Sequence, residues 1–292
     1  MILKMNIKPI LKLFIRISSS LMAILSCVQL FVSWEDIGIE NTFVKVIIMI
    51  FIILLSLVIS IVLILSIFKK VILYNVGKNK VTAIYGDIFK IGFQKKNKNK
   101  KIVVIPVNDT FDMIVEEPGE NVKKPLVTPN SNHGRWIMRF CEEENISQVD
   151  LNNRVIKNLE YQGIKAEKIF TREEREKGNL CKYKLGTIAK IEGKNNVLFY
   201  LVAISSFDNN NNAQSNKYYI KRSIETLLDY YDKDGQRDEI YIPLMGTGSS
   251  RANLSCNESY KLIKSLCLGD EFNGVINIVI YNGDKEKISI FE

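Results

Sequence analysis

The residues best suited to ligand chemistry lie in one glycine-bearing segment, residues 243–251, which reads PLMGTGSSR. It follows a strand-like run and precedes an apparent helix that begins near Asn253. Glycines permit a tight turn that exposes backbone amides, and a helix start carries a partial positive charge, so the segment suits a phosphate group. The candidate ligand-binding residues here are Gly246, Thr247, Gly248, Ser249, Ser250 and Arg251. A simple tight turn is the alternative, and the lack of a following Gly-Lys-Ser/Thr excludes a Walker loop.

Three other polar segments contain candidate site residues. Asp87 follows a turn glycine in YGDI, Asn108 ends the apolar run at residues 102–107, and NSNHG at residues 130–134 contributes Asn132, His133 and Gly134. Ligands of open α/β sheets bind beyond the carboxyl ends of strands, so we expect these segments to face one site. The Asp87 carboxylate suits an exocyclic amine such as that of adenine, although an aspartate beside a turn more commonly caps its own backbone.

The sequence lacks the residue patterns that several other kinds of site require. The five cysteines show no Cys-x-x-Cys spacing, which indicates reduced thiols rather than a zinc site or a disulfide framework. A single histidine excludes multi-histidine metal sites and most histidine-based catalysis. The basic residues do not alternate with aromatic ones, as they do in many nucleic-acid-binding segments. We therefore expect no metal, no cofactor, no catalytic residue and no nucleic-acid partner.

The elements that must position these residues alternate between strand and helix, most clearly in the C-terminal half. Predicted strands cover residues 80–85, 102–107, 185–192, 197–204, 239–244 and 275–281, and predicted helices cover residues 136–143, 147–161, 217–231 and 253–268. Several strands are too continuously apolar for a sheet with one wet face. The pattern predicts an α/β fold, a three-layer sandwich with a mixed sheet.

Two apolar segments precede this part of the chain, at about residues 17–34 and 46–68. The second would form a helix of roughly 35 Å, enough to cross a hydrocarbon core of about 30 Å. A cleaved signal peptide is the alternative for the first segment. We predict a transmembrane hairpin within residues 1–70, followed by a cytosolic domain at residues 71–292.

Charge indicates the orientation of this hairpin and one possible lipid contact. Lysines and one arginine flank its two outer ends, whereas the joining loop is mainly acidic, so both termini are expected in the cytoplasm. The net charge is +8, and part of it comes from the run KKNKNKK at residues 95–101. This run is either a solvated hairpin tip or a contact to anionic lipid.

The cytosolic part resembles the macro domain, an ADP-ribose-binding module. The resemblance rests on the order of four features: Gly-Asp-Ile after an early strand, an asparagine at a strand end, a first glycine loop, and a late Pro-x-x-Gly-x-Gly loop before a helix. It implies that Asp87, with Ile88 beside it, contacts the adenine amine, and that Tyr281 and Asn282 lie against adenine. It also implies that the two loops flank the diphosphate and the distal ribose. Unlike typical macro domains, the chain has VNDT at residues 107–110 and one glycine in its first loop.

Paired membrane helices before such a domain are similar to the transmembrane-macro effectors of type II Thoeris anti-phage defence. That resemblance implies a bacterial inner-membrane protein that binds an ADP-ribose derivative or its histidine conjugate, made from NAD by a TIR-domain enzyme. Binding is then expected to cause self-association and membrane disruption. Two alternatives stay open: a membrane-tethered ADP-ribosyl hydrolase using Asn108, Asp109, Asp112 or His133, and a structural adaptor with an empty cleft.

Overall fold

The computed structural model describes residues 2–291 except residues 96, 98, 120–124, 208–212, 249 and 270–271. Two residues of the basic run, Lys96 and Lys98, and the candidate Ser249 therefore lie outside the described residues. The chain divides into two compact units. The helical unit comprises Met1–Val71 and Lys285–Glu292, and the sheet unit comprises Ile72–Asp284.

The helical unit contains α1 (Ile2–Met5), α2 (Ile7–Gln29) and α3 (Thr42–Val62), which continues into a π-helical turn at Leu63–Ile67. The second and third helices are long and apolar enough to cross a membrane. They also hydrogen-bond to each other, because the Ser18 and Ser56 hydroxyl oxygens are 2.7 Å apart. A hairpin of two apolar helices is thus confirmed.

The first apolar helix begins earlier than the apolar segment that predicted it. Lys8, Lys12 and Arg16 recur every four residues, so they share one side of a helix and do not interrupt it. The helix ends at Gln29, before the acidic loop. Hydrophobicity alone missed its first turns because they are amphipathic rather than wholly apolar.

The sheet unit is built on one mixed sheet. The strands are β1 (Lys70–Val76), β2 (Asn79–Gly86), β3 (Lys101–Asn108), β4 (Lys168–Ile169), β5 (Cys181–Lys182), β6 (Ile188–Gly193), β7 (Val197–Phe207), β8 (Ala213–Gln214), β9 (Glu239–Pro243) and β10 (Val275–Tyr281). The strand order in the sheet is β1-β2-β10-β9-β3-β7-β6. In this order β10 is parallel to β2 and β9, β3 is parallel to β9 and β7, and β6 is antiparallel to β7. The short β8 pairs with the end of β7, and β4 and β5 form a separate pair.

Helices cover both faces of this sheet. They are α4 (Ile88–Gly92), α5 (Asn132–Glu144), α6 (Gln148–Tyr161), α7 (Lys217–Asp234) and α8 (Cys256–Gly269). Val103 and Ile105 of β3 share a buried cluster with Trp136 of α5 and Leu151 of α6. Because side chains alternate along a strand, the equally buried Val104 faces the opposite layer. The predicted three-layer α/β fold with a mixed sheet is therefore confirmed.

Two helix starts differ from the sequence prediction for the same physical reason, which is capping. The Ser131 hydroxyl accepts a hydrogen bond from the Gly134 amide, so α5 already begins at Asn132. At α8, Ser255 and Glu258 form reciprocal hydrogen bonds, and the helix begins at Cys256 rather than near Asn253. The edge strand β1, which directly follows the apolar helix, was not predicted.

Candidate ligand-binding site

A cavity of about 530 Å³ lies at the carboxyl ends of β3, β7 and β9. Its volume is within the usual range for small-molecule sites, roughly 300–1,000 Å³. The lining residues come from strand ends and from the loops that follow them. They are Pro106, Val107, Asn108, Pro125, Leu126, Val127, Thr128, Asn130, Ser131, Asn132, His133, Ile204, Ser205, Phe207, Ala213, Leu244, Met245, Gly246, Thr247, Gly248, Ser250 and Arg251.

One side of the cavity is the first wall, residues 128–134, which leads into α5. The Ser131 hydroxyl donates to the Thr128 carbonyl at 2.7 Å and accepts from the Gly134 amide at 2.9 Å. A Cβ atom on Gly134 would lie only 2.2 Å from the Thr128 carbonyl oxygen, so glycine is required by close backbone contact. Burial lowers the pKa of His133 to about 3, which keeps this imidazole neutral at physiological pH.

The opposite side is the glycine loop, residues 245–251. The Ser259 hydroxyl of α8 anchors its first residue by accepting from the Met245 amide and donating to the Met245 carbonyl. Gly246 has a φ of +81°, and a Cβ there would lie 2.9 Å from Leu254. A Cβ on Gly248 would instead meet no atom within 4 Å in the part of the chain that the structure describes. The loop is therefore fixed at its base and open at its tip.

The electrostatic character of the cavity favours an anion. Among its described lining residues there is no Asp or Glu, and Arg251 is the one cationic side chain. Asn132 and His133 belong to the first turn of α5, where backbone N–H groups lack helical acceptors. The start of α8 is less suited to an anion than its sequence suggested, because the Glu258 carboxylate already accepts a hydrogen bond from the Ser255 amide there. The helix terminus beside the cavity is thus that of α5.

The structure brings together most of the sequence-predicted site residues. Asn108, Asn132, His133, Gly246, Thr247, Gly248, Ser250 and Arg251 all line the cavity. Gly134 belongs to the first wall and packs closely against the Thr128 backbone, but it is not among the lining residues of the cavity. Asp87, Ile88, Tyr281 and Asn282 are not among the lining residues.

These four residues cluster at a neighbouring corner of the same sheet edge. Tyr281 at the end of β10 is paired in register with Gly86, which immediately precedes Asp87. The Asp87 carboxylate accepts a hydrogen bond from the Phe89 amide at 2.8 Å and caps α4. This backbone cap is the alternative role considered for Asp87 from the sequence. Ile88 is buried, Asn282 begins a short 3₁₀ turn, and the Tyr281 ring is 53% exposed.

The carboxylates considered for catalysis have other partners. Asp112 is buried and forms an ion pair of 2.7 Å with Arg175. Asp109 is also buried, with Lys182 at 3.5 Å, and desolvation raises its pKa to about 6. The Asn108 oxygen accepts from the Thr110 and Asp112 amides, so this side chain orders the segment after β3. Neither carboxylate lines the cavity.

Sequence reasoning missed the part of the cavity formed by residues 125–128 and by Ser205, Phe207 and Ala213. Residues 125–128 have no motif, and β7 extends beyond its predicted end to Phe207. The sequence did contain a signal for the longer strand. Ser205 and Ser206 follow the apolar run, but no glycine or proline is present there to end the strand.

A mixed sheet between two helical layers, with a cavity beyond its parallel strands, is the architecture of an α/β module of the macro-domain type. Residues 81–280 match the family model described as "Thoeris protein ThsA, Macro domain". The chain therefore belongs to the ThsA macro-domain family of Thoeris proteins.

The chain is also similar to individual proteins of known sequence or structure. The chain is 25% identical over 285 residues to a Thoeris protein ThsA of Bacillus amyloliquefaciens (strain Y2), covering 94% of this chain and 86% of that protein. Among solved structures, a mutant Oceanobacillus iheyensis macrodomain has a TM-score of 0.44 and 11% identity, covering 75% of this chain and 88% of that one. The same macrodomain with ADP has a TM-score of 0.42 and 11% identity, covering 75% and 95%.

Proposed function

We propose that the sheet unit binds an ADP-ribose-type nucleotide in the 530 Å³ cavity, and that the chain is a membrane-anchored effector of Thoeris defence. The observation that carries this proposal is the composition of the cavity. Its lining includes Arg251 and the hydroxyl-bearing residues Thr247 and Ser250, and no carboxylate is present among its described lining residues. A diphosphate is the part of the ligand that this arrangement suits best.

The two walls suggest how the ligand lies. The diphosphate sits between the glycine loop and the start of α5, where it accepts hydrogen bonds from main-chain amides and from Arg251. Gly248 allows close approach, because its Cα carries no side chain at the open tip of the loop. The adenine then extends to the corner formed by Asp87 and Tyr281, where the exposed ring offers a stacking surface.

Signal binding rather than hydrolysis is favoured by the positions of the acidic groups. A general base must come within hydrogen-bond reach of the proton that it removes. Asp112 is held by Arg175, and Asp109 is buried beside Lys182. His133 lines the cavity, but burial lowers its pKa to about 3 and makes it a poor base near neutral pH.

The apolar helices extend the proposal to the membrane. We place the protein in the bacterial inner membrane as a multi-pass chain with both termini in the cytoplasm. A TIR-domain enzyme supplies the signal, an ADP-ribose derivative or its histidine conjugate. If the ligand binds an assembled state of several copies more tightly, it shifts the population towards that state, and the clustered helices disrupt the membrane.

Titration calorimetry of the full-length chain in detergent tests the proposed ligand. ADP-ribose and its histidine conjugate are titrated in parallel, and the recovered ligand is analysed by chromatography. Saturable binding with the ligand recovered intact supports a receptor. Recovery of hydrolysed conjugate supports the hydrolase alternative, and the absence of binding by both compounds contradicts the proposed ligand class.

A further inference from the structure

The C-terminal residues do not belong to the sheet unit from which they emerge. β10 ends at Tyr281, a short turn at Asn282–Asp284 follows, and the chain then joins the helical unit. We call residues 285–291 the latch. Three residues therefore separate the latch from the strand whose end carries the predicted adenine contact Tyr281.

A buried polar contact fixes the latch to the beginning of the first apolar helix. The Ser289 hydroxyl donates to the Asn6 side-chain oxygen at 2.6 Å. Asn6 is 4% exposed and Ser289 is 2% exposed. The Asn6 side-chain amide nitrogen also donates to the Ile2 carbonyl of the short helix α1, and Asn6 directly precedes α2. A buried pair of this kind is costly to break without replacing its partners.

A second contact fixes the latch to the end of the other apolar helix. The Lys285 ammonium group donates to the Leu65 carbonyl, which lies in the π-helical turn Leu63–Ile67. Carbonyl groups at a helix end lack helical donors and interact favourably with cations. Irregular π-helical turns also occur often at functional positions of helices. The latch thus forms hydrogen bonds next to the start of α2 and next to the end of α3, which lie at the same end of the hairpin.

The apolar residues of the helical unit agree with this arrangement. Most large apolar side chains of α2 and α3 are not buried, but Ile10 and Ile64 are 4% and 5% exposed. In the latch, Ile288 and Ile290 are equally buried. Burial of these four isoleucines concentrates the core of the helical unit at the hairpin end that the latch reaches, where it stabilises the closed arrangement.

We propose that the latch is autoinhibitory because it holds the two apolar helices together. Ligand binding at the sheet edge would shift the end of β10 and thereby release the latch. This inference rests on the proposed function for its trigger. A short link such as Asn282–Asp284 absorbs little movement, so a shift at the end of β10 is passed to Lys285 and Ser289. Once released, the helix ends become available to other copies of the chain. Linkage requires that a weakened latch also increases affinity for the ligand.

Ser289→Ala tests the latch in full-length protein reconstituted in dye-filled vesicles. The change leaves the buried Asn6 oxygen without its donor, and we expect dye release without ligand to rise about tenfold. Affinity for ADP-ribose, measured by calorimetry, should rise in the same variant. The matched control is Ser19→Ala, because the exposed Ser19 hydroxyl donates only to the nearby Arg16 carbonyl. Equal dye release from the two variants would overturn the proposal.

A locked variant gives the opposite test. Asn6→Cys and Ser289→Cys are combined with Cys27→Ser, and the disulfide is confirmed by mass spectrometry before reconstitution. The oxidised protein should bind ADP-ribose but release no dye, and reduction should restore release. Release by the oxidised protein would contradict the latch. Failure of the parent chain to bind ADP-ribose would instead contradict the proposed function. Dye release without ligand by Ser289→Ala would still support the latch.

Discussion

The two sides of the cavity are built in opposite ways. The first wall is closely packed: a Cβ on Gly134 would lie 2.2 Å from a backbone oxygen, and Ser131 fixes both neighbouring turns. The glycine loop is anchored at its base through Ser259, and a Cβ at Gly248 would meet no atom of the described residues within 4 Å. We infer that one side provides a rigid surface, whereas the other adjusts to the ligand.

The largest effect should come from disturbing the rigid side. Gly134→Ala forces the Thr128 carbonyl away from the start of α5, and we expect a loss of about 3 kcal/mol in the free energy of unfolding, as for other overpacked sites. Chemical denaturation measures this loss. Gly248→Ala is the matched control and should change stability by less than about 1 kcal/mol. Similar losses in both variants would remove the distinction between the two sides.

The open side should respond in affinity rather than in stability. Gly248→Val keeps the fold, because nothing lies within 4 Å of the added Cβ, but the larger side chain hinders approach of a diphosphate to the loop amides. Loss of hydrogen bonds to a charged group predicts roughly a hundredfold weaker binding of ADP-ribose in calorimetry. Gly269→Val, which also projects into open space, should bind like the parent. Unchanged binding by Gly248→Val would place the ligand elsewhere.

The carboxylates behind the cavity predict a pH effect on stability that is separate from binding. The folded-state pKa of Asp109 is about 6, above its ordinary value of 3.8, so the folded state binds this proton more tightly. The resulting stabilisation is present below pH 3.8 and is lost as the pH rises through 6. Relative to Asp109→Asn, the parent should lose on the order of 2 kcal/mol between pH 4 and 7.

Denaturation of the parent and of Asp109→Asn across this pH range measures the difference. Lys182, Arg175 and Asp112 are the charged groups that act on Asp109, and they are unchanged in the variant. Affinity for ADP-ribose should be similar in both proteins, since Asp109 does not line the cavity. A large loss of affinity would indicate that this carboxylate takes part in the site.

The smallest effect is expected from Arg251, the cationic side chain among the described lining residues of the cavity. Arg251→Gln removes the charge and replaces the guanidinium group by a shorter polar side chain, and we expect about tenfold weaker binding of ADP-ribose. The loss should shrink as ionic strength rises, because Arg251 is exposed. Arg154→Gln on α6 is an exposed control that should not change affinity. Equal affinities of the two variants would assign the anion site to backbone amides alone.

Much of the fold could be predicted because its signals are local. Continuous β-branched and apolar runs located β3, β7, β9 and β10, since central strands covered by helices have no polar face. The glycine loop was predictable for the same reason, because tight turns at strand ends require particular residues. Capping moved the starts of α5 and α8, which depend on one or two hydrogen bonds rather than on periodicity.

The remainder depends on contacts distant in sequence. Asp112 and Arg175 carry no motif, and only folding brings them into a buried ion pair. The latch was missed because a short C-terminal segment gives no sign of joining the N-terminal helices. The role of Asp87 as a helix cap was considered from the sequence, whereas its absence from the cavity lining required coordinates.

Hydrogen exchange of the full-length chain, measured by mass spectrometry with and without ADP-ribose, is the sharpest test of a ligand site between the two walls. We expect added ADP-ribose to slow exchange strongly in the glycine loop, residues 245–251. We expect a smaller change in the first wall, residues 128–134, whose amides are already constrained. Slowing that is confined to other segments, or no slowing at saturating ADP-ribose, would contradict a ligand site between these two walls.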